Sequence, residues 1–220
     1  MVSARERGNA GNDQRTSPVA RLSRVERRAQ TVLDLAAAAD AEFSTRGYHA
    51  VTVDAIAERA GYTRGAVYGN FPTGKPDLFL HVCEARAARY VDEINAALAT
   101  ADSTEIADVY LGLRSRARAT PGWARALVEF ALVAADDDDL RTRFGALRRA
   151  TIERVRSGFE ALGPQATFDA REMATVVVAL EAGLDLLRSL DADLVADDLE
   201  FRVVERLGGW DGPVPATPSD

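Results

Sequence analysis

Apolar residues return at helical spacing along most of the chain. From Ser23 onward Val32, Leu35, Ala36, Ala39 and Phe43 fall on one face, which predicts a long, half-buried first helix ended by Gly47. A short second helix is expected behind Thr52, whose hydroxyl caps it while Asp54 complements its dipole, and it stops at Ala60-Gly61. A third begins behind Thr63 and ends near Phe71, where Pro72, Gly74 and Pro76 interrupt the pattern. The stretch Ala60-Gly61-Tyr62-Thr63 is then the short corner of a helix-turn-helix. After Pro76 a long helix carries Phe79, Val82, Cys83, Tyr90, Val91, Ile94 and Leu98 to about Thr100. Further helices are predicted at about 104–119, 122–135, 139–162, 168–190 and 197–207, separated by Pro121, the Asp136 to Asp139 run, Gly163-Pro164 and Asp191-Ala192-Asp193.

No alternating strand pattern and no internal repeat interrupts this reading, so the expected fold class is all-α. An N-terminal three-helix helix-turn-helix domain (21–75) precedes a larger helical domain (76–207). Residues 1–20, with scattered arginines, glycines and Pro18, read as a flexible basic arm, and the Gly/Pro-rich 208–220 as a tail.

Composition narrows the class. With 47% hydrophobic residues in 220, the chain has enough apolar surface to build a core. Its one cysteine, Cys83, excludes an intramolecular disulfide, and no apolar run of a secretory leader follows the first basic residues. The longest apolar stretches, such as Ala174 to Leu180, fall far short of the roughly 18 to 20 residues that span a bilayer. A soluble, cytoplasmic protein with no membrane partner is the expectation.

The net charge of −7 argues at first against a polyanionic partner. Its distribution changes that. Residues 1–80 hold 11 Lys+Arg and 9 Asp+Glu, net +2, whereas residues 81–220 hold 16 and 25, net −9. The N-terminal third is the part suited to meet an anion, although Arg5 to Arg28 also fits a solvated tail.

The third helix carries the most specific chemistry. Arg64 sits in its first turn, where a cation opposes the helix dipole, so something outside the helix should offset it. Gly65 and Gly69 each cost roughly 0.5 to 1 kcal/mol relative to Ala inside a helix. They leave a bare surface ringed by Arg64, Tyr68 and Asn70. A bare, short helix suits the floor of the DNA major groove, with Thr63, Arg64, Tyr68 and Asn70 donating to bases and phosphates. The alternative is that the glycines merely permit close helix crossing.

The run Val32-Leu33-Asp34-Leu35-Ala36, Phe43-Ser44-Thr45-Arg46-Gly47-Tyr48, Val51-Thr52-Val53-Asp54-Ala55-Ile56-Ala57, Ala60 to Tyr68, Phe71 and Lys75 resembles the DNA-binding domain of the TetR family of transcriptional regulators. The resemblance covers about 50 residues. It implies that Thr52, Tyr68 and Lys75 hold phosphates, while Arg64, Gly65 and Gly69 lie on the base-facing surface. Lys75 is the chain's single lysine. Phe71 to Lys75 spans four positions where the family usually has three, and Pro76 follows where an acidic residue is common, which lengthens or rotates the lead-in to the fourth helix.

The resemblance further implies a dimer that binds a near-palindromic double-stranded operator and a small effector, apolar or aromatic, held in the larger domain. Candidate lining residues are Tyr90, Tyr110, Trp123, Leu127, Phe130, Phe144 and Phe159, each equally suited to core packing. Phe168 shares their character, and Glu129 is a carboxylate for a cationic ligand or for solvent. For the homodimer, Val176, Leu180, Gly183, Leu184 and Leu187 form one apolar face with Met173 and Val177, and Val203 and Leu207 form another with Leu199 and Val204.

No catalytic constellation emerges and no cofactor or metal is expected. His49 and His81 have no neighbouring nucleophile, Asp136 to Asp139 reads as a solvated helix start, and Cys83 as a small buried hydrophobe. The functional reading is a ligand-responsive repressor. Its rivals are a DNA-binding regulator without an effector and a helical ligand-binding or enzymatic protein without DNA function.

Overall fold

A computed structural model describes residues 23–98, 112, 122–161 and 168–208. The basic arm, the helix predicted at 104–119 with Tyr110, and the tail beyond Gly208 lie outside the described residues.

Helix ends are set by local chemistry. Ser23 and Glu26 form a capping box that starts α1 (Arg24–Arg46), and Gly47, at φ 77°, ends it with its N–H on the Phe43 carbonyl. Thr52 accepts from the Ala55 N–H to start α2 (Val53–Ala60), and Gly61 closes it in the left-handed region. Thr63 does the same for α3 (Arg64–Asn70), which is about two turns long. The chain then turns at Gly74, φ 73°, whose N–H bonds the Phe71 carbonyl.

The fourth helix, α4 (Lys75–Leu98), begins at Lys75 itself, with Pro76 in its first turn, where a missing N–H is harmless. It is followed by α5 (Gly122–Ala135), α6 (Asp138–Ala161), α7 (Ala170–Leu190), a 3-10 turn (Ala192–Leu194) and α8 (Leu199–Gly208). Asp137 bonds the Leu140 N–H, and Asp138 and Asp139 pair with Arg141 and Arg143, so the aspartate run starts α6. An Asp169–Glu172 capping box starts α7.

The main core draws Leu35, Ala39 and Phe43 of α1, Ile56 of α2, Val67 of α3, Leu78, Phe79 and Val82 of α4, and Phe130 of α5 into one cluster. The packing therefore runs without interruption across 75/76, where the division into two domains was expected. At its centre Phe79 stacks on Trp123 and meets Phe43, Tyr48 and Phe130 edge-on or tilted, with ring centroids 4.5 to 5.4 Å apart. Complete burial of Phe43, Phe79 and Phe130 contributes about 1.5–3 kcal/mol each. Close approach is built in where α5 begins. A Cβ on Gly122 would stand 2.3 Å from the Ser44 carbonyl oxygen, so any side chain there would push α5 off the end of α1.

A second, smaller cluster unites Phe159 of α6, Met173, Ala174 and Val177 of α7, and Val204 of α8. Cys83 is buried among apolar side chains, and that burial pushes its thiol above the ordinary range, consistent with an inert hydrophobe. Among the described residues no helix is long and apolar enough to cross a membrane.

Candidate DNA-binding surface

The corner at Gly61 sets α2 and α3 so that the first turns of both helices share one exposed face. Thr52 and Thr63 spend their hydroxyl oxygens on helix N–H groups, and both are exposed, so their O–H donors remain directed to the outside.

Arg64 finds its counter-charge within the protein. Its Nη1 lies 2.9 Å from Asp54 Oδ2, and its Nη2 is 3.5 Å from the Tyr68 hydroxyl. The Tyr68 hydroxyl first, and the Asp54 carboxylate with it, hold Arg64 above its ordinary pKa. The offset that the sequence left to DNA is thus supplied in part by α2.

Gly65 and Gly69 are exposed. A Cβ on Gly69 would meet nothing within 4 Å, and one on Gly65 only the Thr63 hydroxyl at 3.7 Å. They do not serve helix crossing, and α3 presents bare backbone to solvent. Tyr68 is 41% exposed, with its ring seated on Gly74, where an added Cβ would come within 2.7 Å of the ring.

Two expected DNA contacts are turned inward instead. Asn70 donates to the Ala66 carbonyl at 2.8 Å and accepts from Arg28 Nε at 3.2 Å, so it fastens the end of α3 to α1. Lys75 donates to the Tyr48 and Val51 carbonyls, at 3.1 and 3.0 Å, and its ammonium lies 4.2 Å from the centre of the Tyr48 ring. Burial pulls this ammonium below the ordinary lysine value, an effect that Glu129 partly offsets. The chain turns at Gly74, and Lys75 starts α4 facing the α1–α2 turn.

Glu129, expected to face a cationic ligand or solvent, has a backbone partner that the sequence did not reveal. Glu129 reaches from α5 to accept the His49 N–H at 2.7 Å, and it and Arg125 crowd Gly47, where a Cβ would lie within 3 Å of both. The turn between α1 and α2 is therefore gripped from α4 by Lys75 and from α5 by Glu129. Arg24 and Arg27 are exposed in the first turn of α1, on the helix that Arg28 joins to α3.

Residues 35–82 match the family model of bacterial regulatory proteins, tetR family. The helix-turn-helix segment of the chain is thus of tetR type. One curated tetR-type relative, the HTH-type transcriptional activator FasR of Mycolicibacterium smegmatis (strain ATCC 700084 / mc(2)155), is 37% identical over 95 residues, 43% of this chain and 40% of that protein. The match thus spans about two-fifths of that relative's length. The fold also coincides with the fatty acid degradation regulator FadR from Bacillus halodurans, at TM-score 0.61 and 18% identity over 83% of this chain and 97% of that one. A transcriptional regulator from Saccharomonospora viridis in complex with choline aligns at TM-score 0.60 and 18% identity, over 83% and 97%. At these identities the two structures establish the fold alone.

The described aromatic candidates do not surround one cavity. Trp123, Phe130 and Phe144 are packed in the main core together with Leu127, and Arg86 lies over the Trp123 ring, its guanidinium 4.3 Å from the ring centre. Phe159 belongs to the second core, and Tyr90 bonds Glu181 at 3.1 Å. Their large rings fill helix crossings that the sequence pattern could not distinguish from a pocket wall. A cleft of about 650 Å³ lies instead between α4 and α6, from Phe71 and Pro72 past His81 and Glu84 to Arg154. None of the described candidates lines it.

The dimer candidates divide likewise. Leu184 is buried within the chain and Leu207 packs on the second core, as do Met173, Val177 and Val204. Val176, Leu180 and Val203 are half-buried, and Gly183 and Leu187 exposed. Leu190 and Leu194, 74% and 58% exposed, extend this apolar margin and escaped the sequence pattern because they lie where α7 ends.

Proposed function

We propose that the chain is a dimeric, DNA-binding transcriptional repressor released from a near-palindromic operator by a small molecule. The observation that carries the DNA-binding reading is the bare exposed face of α3, with Arg64 and Tyr68 at its edge and no neighbour above Gly69. Two copies joined along Val176, Leu180, Gly183, Leu187 and Val203 place two recognition helices about 34 Å apart, in successive major grooves. An effector acts by favouring a dimer whose helices miss that spacing. The grip of Lys75 and Glu129 on the α1–α2 turn supports this coupling, because a shift of α4 or α5 has a direct path to α2 and α3.

The test is selection of bound sites from random DNA by purified protein at about 100–150 mM salt, where non-specific phosphate binding is weak. A palindrome is expected, and enrichment of no sequence by folded dimer overturns the reading. The enriched sites placed before a reporter then separate repression from activation.

Packing of the aromatic candidates into the cores favours a second reading, a regulator without a small-molecule effector. Operator complexes that no compound in a library of apolar, aromatic and cationic molecules weakens would decide for it.

A further inference from the structure

An aspartate is out of place on a surface that meets a polyanion, yet Asp54 stands there, 63% exposed, in the first turn of α2. Its one charged partner among the described residues is Arg64, 2.9 Å away across the corner and itself 61% exposed. In water such a pair adds little to stability. Nor does α2 depend on Asp54 for its start, because Thr52 already caps it. The pair does matter for direction. No acidic residue stands in the first turn of α3, so without Asp54 the Arg64 side chain would face only the positive end of its own helix and would swing toward the nearest phosphate.

We infer that Asp54 is a specificity-determining positioning residue, whose carboxylate holds the Arg64 guanidinium between α2 and α3 so that it reads a base pair instead of a backbone phosphate. The inference rests on the DNA-binding reading above. Asp54 engages Nη1, and the Tyr68 hydroxyl accepts from Nη2. Of the five N–H donors of a guanidinium, enough remain for the paired contact that a guanine edge accepts. Tyr68 braces the same group from beneath, its ring centre 5.6 Å from the guanidinium carbon and its own ring seated on Gly74. When the surface docks, water leaves, the attraction between Asp54 and Arg64 strengthens, and the carboxylate repels phosphates within a Debye length of about 8–10 Å. Asp54 thus weakens binding to DNA in general and sharpens binding to one sequence.

The wild type, Asp54→Asn and Asp54→Glu are each taken through site selection at about 150 mM salt, and then titrated with the selected operator and with random duplex. Asp54→Asn is expected to bind random duplex a few-fold more tightly and to discriminate roughly 10-fold less. The lost preference should fall at the base pair whose preference Arg64→Ala erases, and Asp54→Glu should restore it in part. A variant that keeps every preference of the wild type, or that loses equally on operator and random duplex, overturns the inference while leaving the DNA-binding reading intact. A wild type that enriches no sequence overturns both. Thermal melting of the variants within a few degrees of the wild type separates this role from a structural one.

Discussion

The two cores of the molecule are finished to different degrees. The front core, from Leu35 to Leu140, has fully buried aromatic rings at its centre and a recognition surface that is polar or bare backbone. The rear core is small, built on Phe159, Met173, Ala174, Val177 and Val204, and it leaves Leu187, Leu190 and Leu194 exposed beside it. The front is complete in one copy. Among the described residues the rear leaves apolar side chains uncovered, and the proposed dimer would close over them.

The comparison is most strongly tested at Phe79. Phe79→Ala removes the ring on which Phe43, Tyr48, Trp123 and Phe130 converge, and should cost about 3–5 kcal/mol in urea unfolding. If the front core is one unit, α1 to α5 lose protection against hydrogen exchange together. Leu187→Arg attacks the rear. It should yield monomer by sedimentation, weaken operator binding by about 100-fold or more through loss of the second half-site, and shift melting of the front core little.

Arg64→Ala should cost about 1–3 kcal/mol on the operator and relax preference at one position. Tyr68→Ala should weaken all DNA alike and flatten the salt slope. Glu129→Gln keeps the shape but removes the charge facing the His49 N–H and Lys75. A loss of about 1–2 kcal/mol is expected, with faster amide exchange at His49.

The smallest effect concerns pH. Burial raises the Asp77 carboxyl, but the Thr73 N–H at 2.7 Å and Arg143 outweigh it and leave the pKa below the ordinary value. A carboxyl held lower in the folded state stabilises it fully above the unfolded pKa of about 3.9, and that contribution fades as pH falls through the folded value. Asp77→Asn should therefore lower the melting temperature at pH 6 and lose its difference from the wild type as pH falls through the lowered folded-state value.

Helices and their ends were legible in the sequence because they depend on neighbours in the chain. Ser23, Thr52, Thr63, Gly47 and Gly61 act within four residues of themselves, and the predicted boundaries agree to within about two residues. Legibility fails where angle and register between helices decide. Phe130 has the same spacing whether it lines a pocket or fills a core, and only the packing of α5 against α1 and α6 commits it to the core. Asp54 and Arg64 are ten residues apart and meet only because Gly61 turns the chain between them. Lys75 was placed on DNA by analogy, and its inward bonds to the Tyr48 and Val51 carbonyls depend on the path of the chain through Gly74, which spacing alone does not report.

The open space above Gly65 and Gly69 has a use in engineering. A new side chain at either site would meet no contact closer than 3.7 Å in the free protein, and would raise helix propensity by about 0.5–1 kcal/mol. These are blank positions in a reading head. Varying the pair among good helix formers is expected to retune sequence preference at little folding cost, which makes α3 a natural starting point for regulators with new addresses.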